Sequence, residues 1–253
     1  MNRTALSAFG LIAVLCATAA RADSAEAAFE QACHAYDQGK WDEAAEGFRG
    51  VLRYGFEDPR LEYNLANSEY KRGRMGEAIL HYERAHRMAP SDPDIVANLA
   101  LARSRIRDVI EDPDAAGALA GWRRIQDRIG MTAQAVIALA GFWGLAGIVT
   151  WCASRRGGFT PAWGWALCAV LVATILATTS WHATWTRLQG TPRAVVLHPS
   201  AEALAGPGLN NTSQFTVHEG TTVEIRAERP GWLQVSLPNG ATGWIPSDAA
   251  GRI

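Results

Sequence analysis

The stretch NLANSEYKRGRMGEAILHYERAHRMAP, residues 64 to 90, decides the reading of the first half of this chain. Apolar residues recur at helical spacing on both sides of Gly73: Leu65 and Ala66 before it, and Ala78, Tyr82 and Ala85 after it. Gly73 permits the turn between two helices. Pro90, with Asp92-Pro93 behind it, stops the second helix and starts another. Much of this pattern is written twice, 34 residues apart, in the pairs Gly39 and Gly73, Ala44 and Ala78, Phe48 and Tyr82, Pro59 and Pro93, Leu65 and Leu99, Ala66 and Ala100. Such a period predicts stacked helical hairpins. Small residues at Ala66 and Ala78 let two helices approach while Tyr82 fills the space beside them.

The 253 residues leave room for two small domains, and a net charge of −1 gives no nucleic-acid signature. Charge is uneven along the chain. Residues 23–130 carry 20 acidic and 15 basic side chains, whereas residues 187–253 carry five of each.

Three uncharged apolar stretches divide the sequence. ALSAFGLIAVLCATAA, ending in Ala20-Arg21-Ala22, reads as an export signal over residues 1–22. Leu15 is too bulky to precede a lipidated Cys16. Residues 131–153 and 162–183 are each long and apolar enough to cross a hydrocarbon core of roughly 30 Å, with Trp163, Trp165, Trp181 and Trp185 at the ends of the second. Neither contains Asp, Glu, Lys or Arg, which argues against a transporter or proton relay. The loop at 154–161 carries Arg155 and Arg156, but Arg123, Arg124 and Arg128 precede the first span, so loop charge leaves the orientation open. Export of the N-terminus places residues 23–130 and 187–253 outside the cytoplasm of a bacterial inner membrane. Cys33 is then the one cysteine in either outer domain, so no intrachain disulfide is expected. Residues 111–130 read as a linker followed by a helix with Leu119, Trp122, Ile125 and Ile129 on one stripe, which either lies on the bilayer surface or begins the first span.

The last 60 residues change character. RAVVLH, FTVHEGTTVEIRAE and the two runs around Asn239-Gly240 in WLQVSLPNGATGWIP read as five short strands of a small closed barrel, with Asn-Gly as a hairpin turn. Val223, Ile225, Leu233, Val235 and Leu237 alternate as one buried face should.

The stretch at residues 64–90 resembles a tetratricopeptide repeat (TPR), and residues 23–110 divide into repeats at 25–58 and 59–92 with a capping helix at 93–109. This resemblance implies a concave groove lined by Phe29, Cys33 and Tyr36, by Tyr63, Asn67, Tyr70 and Lys71, and by Leu101, Ser104 and Arg105 of the cap. Aromatic rings, an amide and cations suit a bound peptide segment. Phe29 and Tyr63 also suit plain core positions. Asp94 and Ala97 replace the basic clamp with which some relatives grip a chaperone's C-terminus.

VHEGTTVEI followed by GWLQVSLPNGATGWIP resembles the bacterial SH3-like domain, here at 193–253, with ALAGPGLNN departing from the usual first turn. Trp232 and Trp244 are its candidate ligand surface, or simply barrel packing and rim. Asn210-Asn211-Thr212 matches a glycosylation acceptor but reads as a polar loop.

The order of signal, hairpins, two spans and barrel resembles the BatE proteins of bacterial aerotolerance (Bat) operons. It implies a scaffold in a stress-tolerance complex of the envelope, with von Willebrand A-domain and BatD-type membrane proteins as partners.

No catalytic, cofactor or metal set emerges. Cys33 and His34 are neighbours on a helix and diverge by about 100°, and the remaining histidines show no metal spacing. The expectation is a mixed multidomain, non-enzymatic adaptor. Peptidoglycan binding through the barrel is the alternative reading, and a cytochrome-maturation helper a weaker one.

Overall fold

Residues 24–108, 121–122, 125–126, 129–154, 161–188, 190 and 192–253 are described by the computed structural model. The export signal read at 1–22 and most of the linker and joining loop lie outside them.

Five helices build the N-terminal part: α1 (24–37), α2 (Trp41–Arg53), α3 (Pro59–Lys71), α4 (Met75–Met88) and α5 (Pro93–Arg103). The signals read from sequence act as expected. Asp58 caps α3 by accepting from the Arg60 backbone at 2.7 Å, Asp92 caps α5 through the Asp94 and Ile95 N–H groups, and a proline follows each cap at the first helical position. Gly39 and Gly73 adopt positive φ between paired helices. Ala66, Ala78 and Tyr82 are buried between α3 and α4, where the small pair brings the helices together.

Consecutive units are joined by buried charge. Glu69 of α3 is fully buried and receives Arg49 of α2 and, at 2.9 Å, Arg72. One repeat further on, Glu83 of α4 receives Arg103 of α5. Arg49 and Glu83 are equivalent by the 34-residue period, and so are Glu69 and Arg103. The two junctions therefore carry the same bridge with reversed polarity.

The cap is shorter than its sequence reading over 93–109. Helix α5 ends at Arg103, and Ile106 and Asp108 leave the stack to meet the C-terminal part.

Two long helices follow, α6 (Met131–Ser154) and α7 (Pro161–Leu188), the second running past the 183 expected. Both are long and apolar enough to cross a membrane, and 6 % and 0 % of their most apolar windows are buried in the protein. This much points to membrane association. They pair closely, since a Cβ at Gly141 would stand 2.5 Å from Thr174 Oγ1. Near one end a polar cluster joins them: Gln134 Nε2 donates to the Gln126 carbonyl, Ser180 and Thr184 donate to Gln134 Oε1, and Gln126 Nε2 donates to Ser180 Oγ at 2.7 Å. Residues 121–122, 125–126 and 129 are helical, and Gly130, at φ 74°, separates them from α6. Trp122, Ile125 and Ile129 of the amphipathic stripe thus precede the first long helix rather than beginning it, and Leu119 lies outside the described residues.

The C-terminal part has seven antiparallel strands, not five: β1 (Arg193–Val196), β2 (Ser200–Leu204), β3 (Ser213–His218), β4 (Thr222–Arg229), β5 (Trp232–Ser236), β6 (Thr242–Pro246) and β7 (Ala250–Arg252), in sheet order β3-β2-β6-β5-β4-β1-β7. Strand β2 lies in the segment read as loop. Its Ser, Ala and Glu favour a strand poorly, and pairing with β3 and β6 overrides that preference. Val223, Ile225, Leu233, Val235 and Leu237 enter the core together, with Val217 and Ile245. The Asn239-Gly240 turn differs from the two-residue form expected. Pro238 widens it to three residues, and only Gly240 takes positive φ, closing a Leu237–Ala241 loop.

The helical stack and the C-terminal sheet pack on one another. Ile79 and Leu80 of α4 share a core with Val195, Leu197, Ile106 and Ile253. Gly76 N donates to Glu219 at 2.8 Å, and the Arg84 and Arg87 side chains donate to the carbonyls of Arg252 and Ile253. Asp108 completes the joint by accepting from the His218 backbone at 2.7 Å, the His218 ring and Thr221 Oγ1. Burial raises the Asp108 carboxyl, but these hydrogen bonds outweigh it and hold the group below its ordinary value.

Candidate functional site

The groove expected from α1, α3 and α5 is assembled by hydrogen bonds that the repeat pattern only half foretells. Tyr63, Asn67 and Tyr70 lie half-buried along α3. Tyr82 reaches across from α4 and donates its hydroxyl to Asn67 Oδ1 at 2.5 Å. Burial pushes the Tyr82 phenol well up, so it stays protonated and remains the donor. Asn98 of α5 donates to Tyr63 Oη at 2.8 Å and to Asn67 Oδ1 at 3.3 Å. With its carbonyl oxygen occupied twice, Asn67 has its amide NH2 left to offer to the groove.

Asn98 was absent from the sequence-based set. The equivalence of Asn64 and Asn98 was the available signal: Asn64 likewise reaches back one unit, to Cys33 Sγ at 3.9 Å. The cap therefore adds Asn98 to the groove beside the Leu101, Ser104 and Arg105 expected there.

The aromatic positions divide into two kinds. Phe29 stacks against Phe48 with centroids 5.6 Å apart, and Tyr63 against Tyr82 at 5.9 Å, one pair repeated in successive units. These rings serve the core as well as the groove wall. Tyr36 meets Trp41 edge-on at 4.8 Å, and Lys71 sits 5.7 Å over the Trp41 ring. Arg105 lies 5.1 Å over Tyr70. Such stacking holds each cation near the groove, and among the described residues no carboxylate pairs with either. Leu101, Ser104 and Arg105 are exposed beyond α3.

Cys33 is half-buried beside Phe29, and burial followed by Asp37, Glu26 and Glu30 pushes its thiol up. A thiol so placed is a poor nucleophile.

The barrel joint uses the other side of α4. Leu80 and Arg84 lie roughly 200° from Tyr82 at about 100° per residue, so the barrel covers the back of the second unit and leaves the groove open. A helix apolar over so wide an arc, with Ile79-Leu80 beside Tyr82, was the sequence signal for a second covering.

Trp232 and Trp244 stand outside the barrel core, half-exposed on the outer face of β5 and β6 beside Gln234 and Pro246. Trp244 lies directly across from Gln234, and Trp232 across from Pro246, so the two rings are diagonal neighbours. This face is turned away from the core-facing Leu233, Val235 and Ile245.

Among the described residues no group of three His, Cys, Asp or Glu side chains is placed to hold a metal ion.

Two family profiles agree with the folds of the helical stack and of the C-terminal sheet. The family profile described as Tetratricopeptide repeat matches residues 29–93, and that described as Bacterial SH3 domain matches residues 204–249. No curated protein matches the chain. Among solved structures, the C-terminal SH3 domain of Myosin IB from Entamoeba histolytica is similar at 25 % identity over 25 % of this chain and 88 % of that one, with a TM-score of 0.20. The chain thus combines tetratricopeptide hairpins, two long apolar helices and an antiparallel SH3-like sheet, a set that joins one protein-interaction fold to a second binding fold.

Proposed function

We propose that this chain is a membrane-anchored adaptor without chemistry of its own, holding an extended segment of a partner protein in the groove of α1, α3 and α5. The observation that carries this reading is the Asn67 amide, whose carbonyl is bound by Tyr82 and Asn98 so that its NH2 is left to meet a peptide carbonyl. Lys71 and Arg105, each stacked on a ring, favour an acidic segment. Direct packing of the barrel on α4 supports a hairpin of two spans, because both outer parts must then lie on one side of the bilayer. That arrangement agrees with both parts being exported across a bacterial inner membrane. By its resemblance to the BatE proteins, the partners are von Willebrand A-domain and BatD-type membrane proteins, and the setting is stress tolerance. Replacing Asn67 with Leu together with Lys71→Ala and Arg105→Ala is expected to weaken partner capture at least tenfold, from a few hydrogen bonds and charges of roughly 1 kcal/mol each. Tyr63 is kept in this variant because it also packs on Tyr82. Cross-linking in membranes with circular dichroism as the fold control reads the effect; undiminished capture sinks the proposal.

A second reading is favoured by the outward Trp232 and Trp244: the barrel binds peptidoglycan and the chain senses the wall. Stacking of sugar rings on these indoles predicts that the detergent-solubilised chain sediments with purified sacculi. Trp232→Ala with Trp244→Ala should abolish this, and no sedimentation of the wild-type chain at low salt removes the reading.

A further inference from the structure

The helical stack has two edges. One carries the turns within hairpins, at Gly39 and Gly73, and the other carries the connections between units, residues 54–58 and 89–92. Stacked units repeat by translation, so the two connections share an edge.

Two independent observations bring this edge to the base of the apolar hairpin. A Cβ on Gly130, the residue before α6, would stand 3.0 Å from Ser91 Oγ in the second connection. At the end of α4, Arg87 donates to the Ile253 carbonyl at 2.8 Å, and Ile253 N donates to the carbonyl of Arg193, five residues past the end of α7. The chain therefore enters α6 and returns from α7 beside the connecting edge.

That edge is apolar where hairpin stacking does not require it. Tyr54 is 42 % exposed, Phe56 37 % and Met88 39 %. The helical residues next to Gly130 expose Trp122, Ile125 and Ile129 while Gln126 turns inward to Ser180. Two of the edge's acidic groups are engaged, since Asp58 and Asp92 cap helices and Asp58 pairs with Arg60, while Glu57 is exposed beside Phe56 and must point its carboxylate to water past the headgroups. Arg53 is exposed beside Tyr54. Aromatic and sulfur side chains with a nearby cation are the composition that settles among lipid headgroups.

We propose that the connecting edge of the tetratricopeptide stack rests on the bilayer surface from which α6 and α7 emerge, with Phe56 and Met88 seated among the headgroups. This rests on the reading of α6 and α7 as spans. The test uses the full chain, its native cysteines replaced by alanine, in nanodiscs of phosphatidylethanolamine and phosphatidylglycerol. A bimane probe is attached in turn at Phe56→Cys, Met88→Cys and Arg74→Cys, the last roughly 20 Å away at the far end of α4. A headgroup nitroxide lipid is expected to quench the probe at 56 and 88 at least threefold more than at 74. Equal weak quenching at all three, with full access to iodide, overturns the proposal even if a probe at Trp143→Cys is quenched by acyl-chain nitroxide. Absence of quenching at 143 overturns the spans as well. The unmodified chain gives a second measurement: a photoactivatable phospholipid should label peptides containing Phe56 and Met88, and labelling confined to α6 and α7 refutes the edge contact.

Discussion

Glu69→Ala is expected to destabilise the helical stack by about 2–3 kcal/mol. Glu69 is fully buried and neutralises Arg49 and Arg72 together. Removing it leaves two guanidinium groups facing an apolar junction. The cost stays below the upper range for a broken buried pair because Arg72 keeps Asp42 at 2.7 Å and Arg49 keeps Glu46 at 2.6 Å. Glu69→Gln, which still accepts hydrogen bonds, should cost roughly half as much. Urea unfolding followed by helical circular dichroism checks both, and a midpoint shared by Glu69→Ala and wild type refutes the assignment.

Gly76→Leu is expected to separate the barrel from the stack. A Cβ there would lie 2.8 Å from the Val196 carbonyl oxygen and 3.2 Å from the Leu197 Cα, backbone atoms that cannot swing aside. Relief requires the joint to open, forfeiting the Gly76–Glu219 bond and the apolar contact of Ile79 and Leu80. Overpacking of this kind costs about 1–3 kcal/mol. The helix itself should gain a little, since leucine forms helix better than glycine even at Gly76, the second residue of α4. Opposite signs make the experiment diagnostic: amide exchange at Val195–Leu197 and at 218–221 should accelerate at least fivefold while α4 stays protected. Unchanged exchange at those strands shows that the joint does not depend on Gly76.

The hairpins were legible because their determinants are local. Asp-Pro caps, turn glycines and an Ala–Ala–Tyr packing set lie within one 34-residue unit, and each dictates a backbone step or a helix approach. The joint was not legible, because Gly76 and Glu219 meet across 143 residues and periodicity shows that a residue is covered without showing by what. Strand β2 was hidden for a related reason, its identity coming from partners rather than from SAEAL. In the groove, the reading found Tyr63, Asn67 and Tyr70 on one face but not Asn98, whose role depends on reaching across a unit boundary. Nor could it separate Phe29 and Tyr63 from the core, since the same ring forms a wall on one side and packs on the other.

The joint also sets an order of assembly. Residues 193–253 are made well after α4, so the back of α4 waits with Ile79 and Leu80 uncovered while the 145 residues from 109 to 253 are synthesised. At roughly 5–20 residues per second this interval is about 7–30 s. A chain ending after α7 would keep that face open indefinitely and would be marked for aggregation or proteolysis. Closure of α4 by the barrel is accordingly the event that ends this exposed interval.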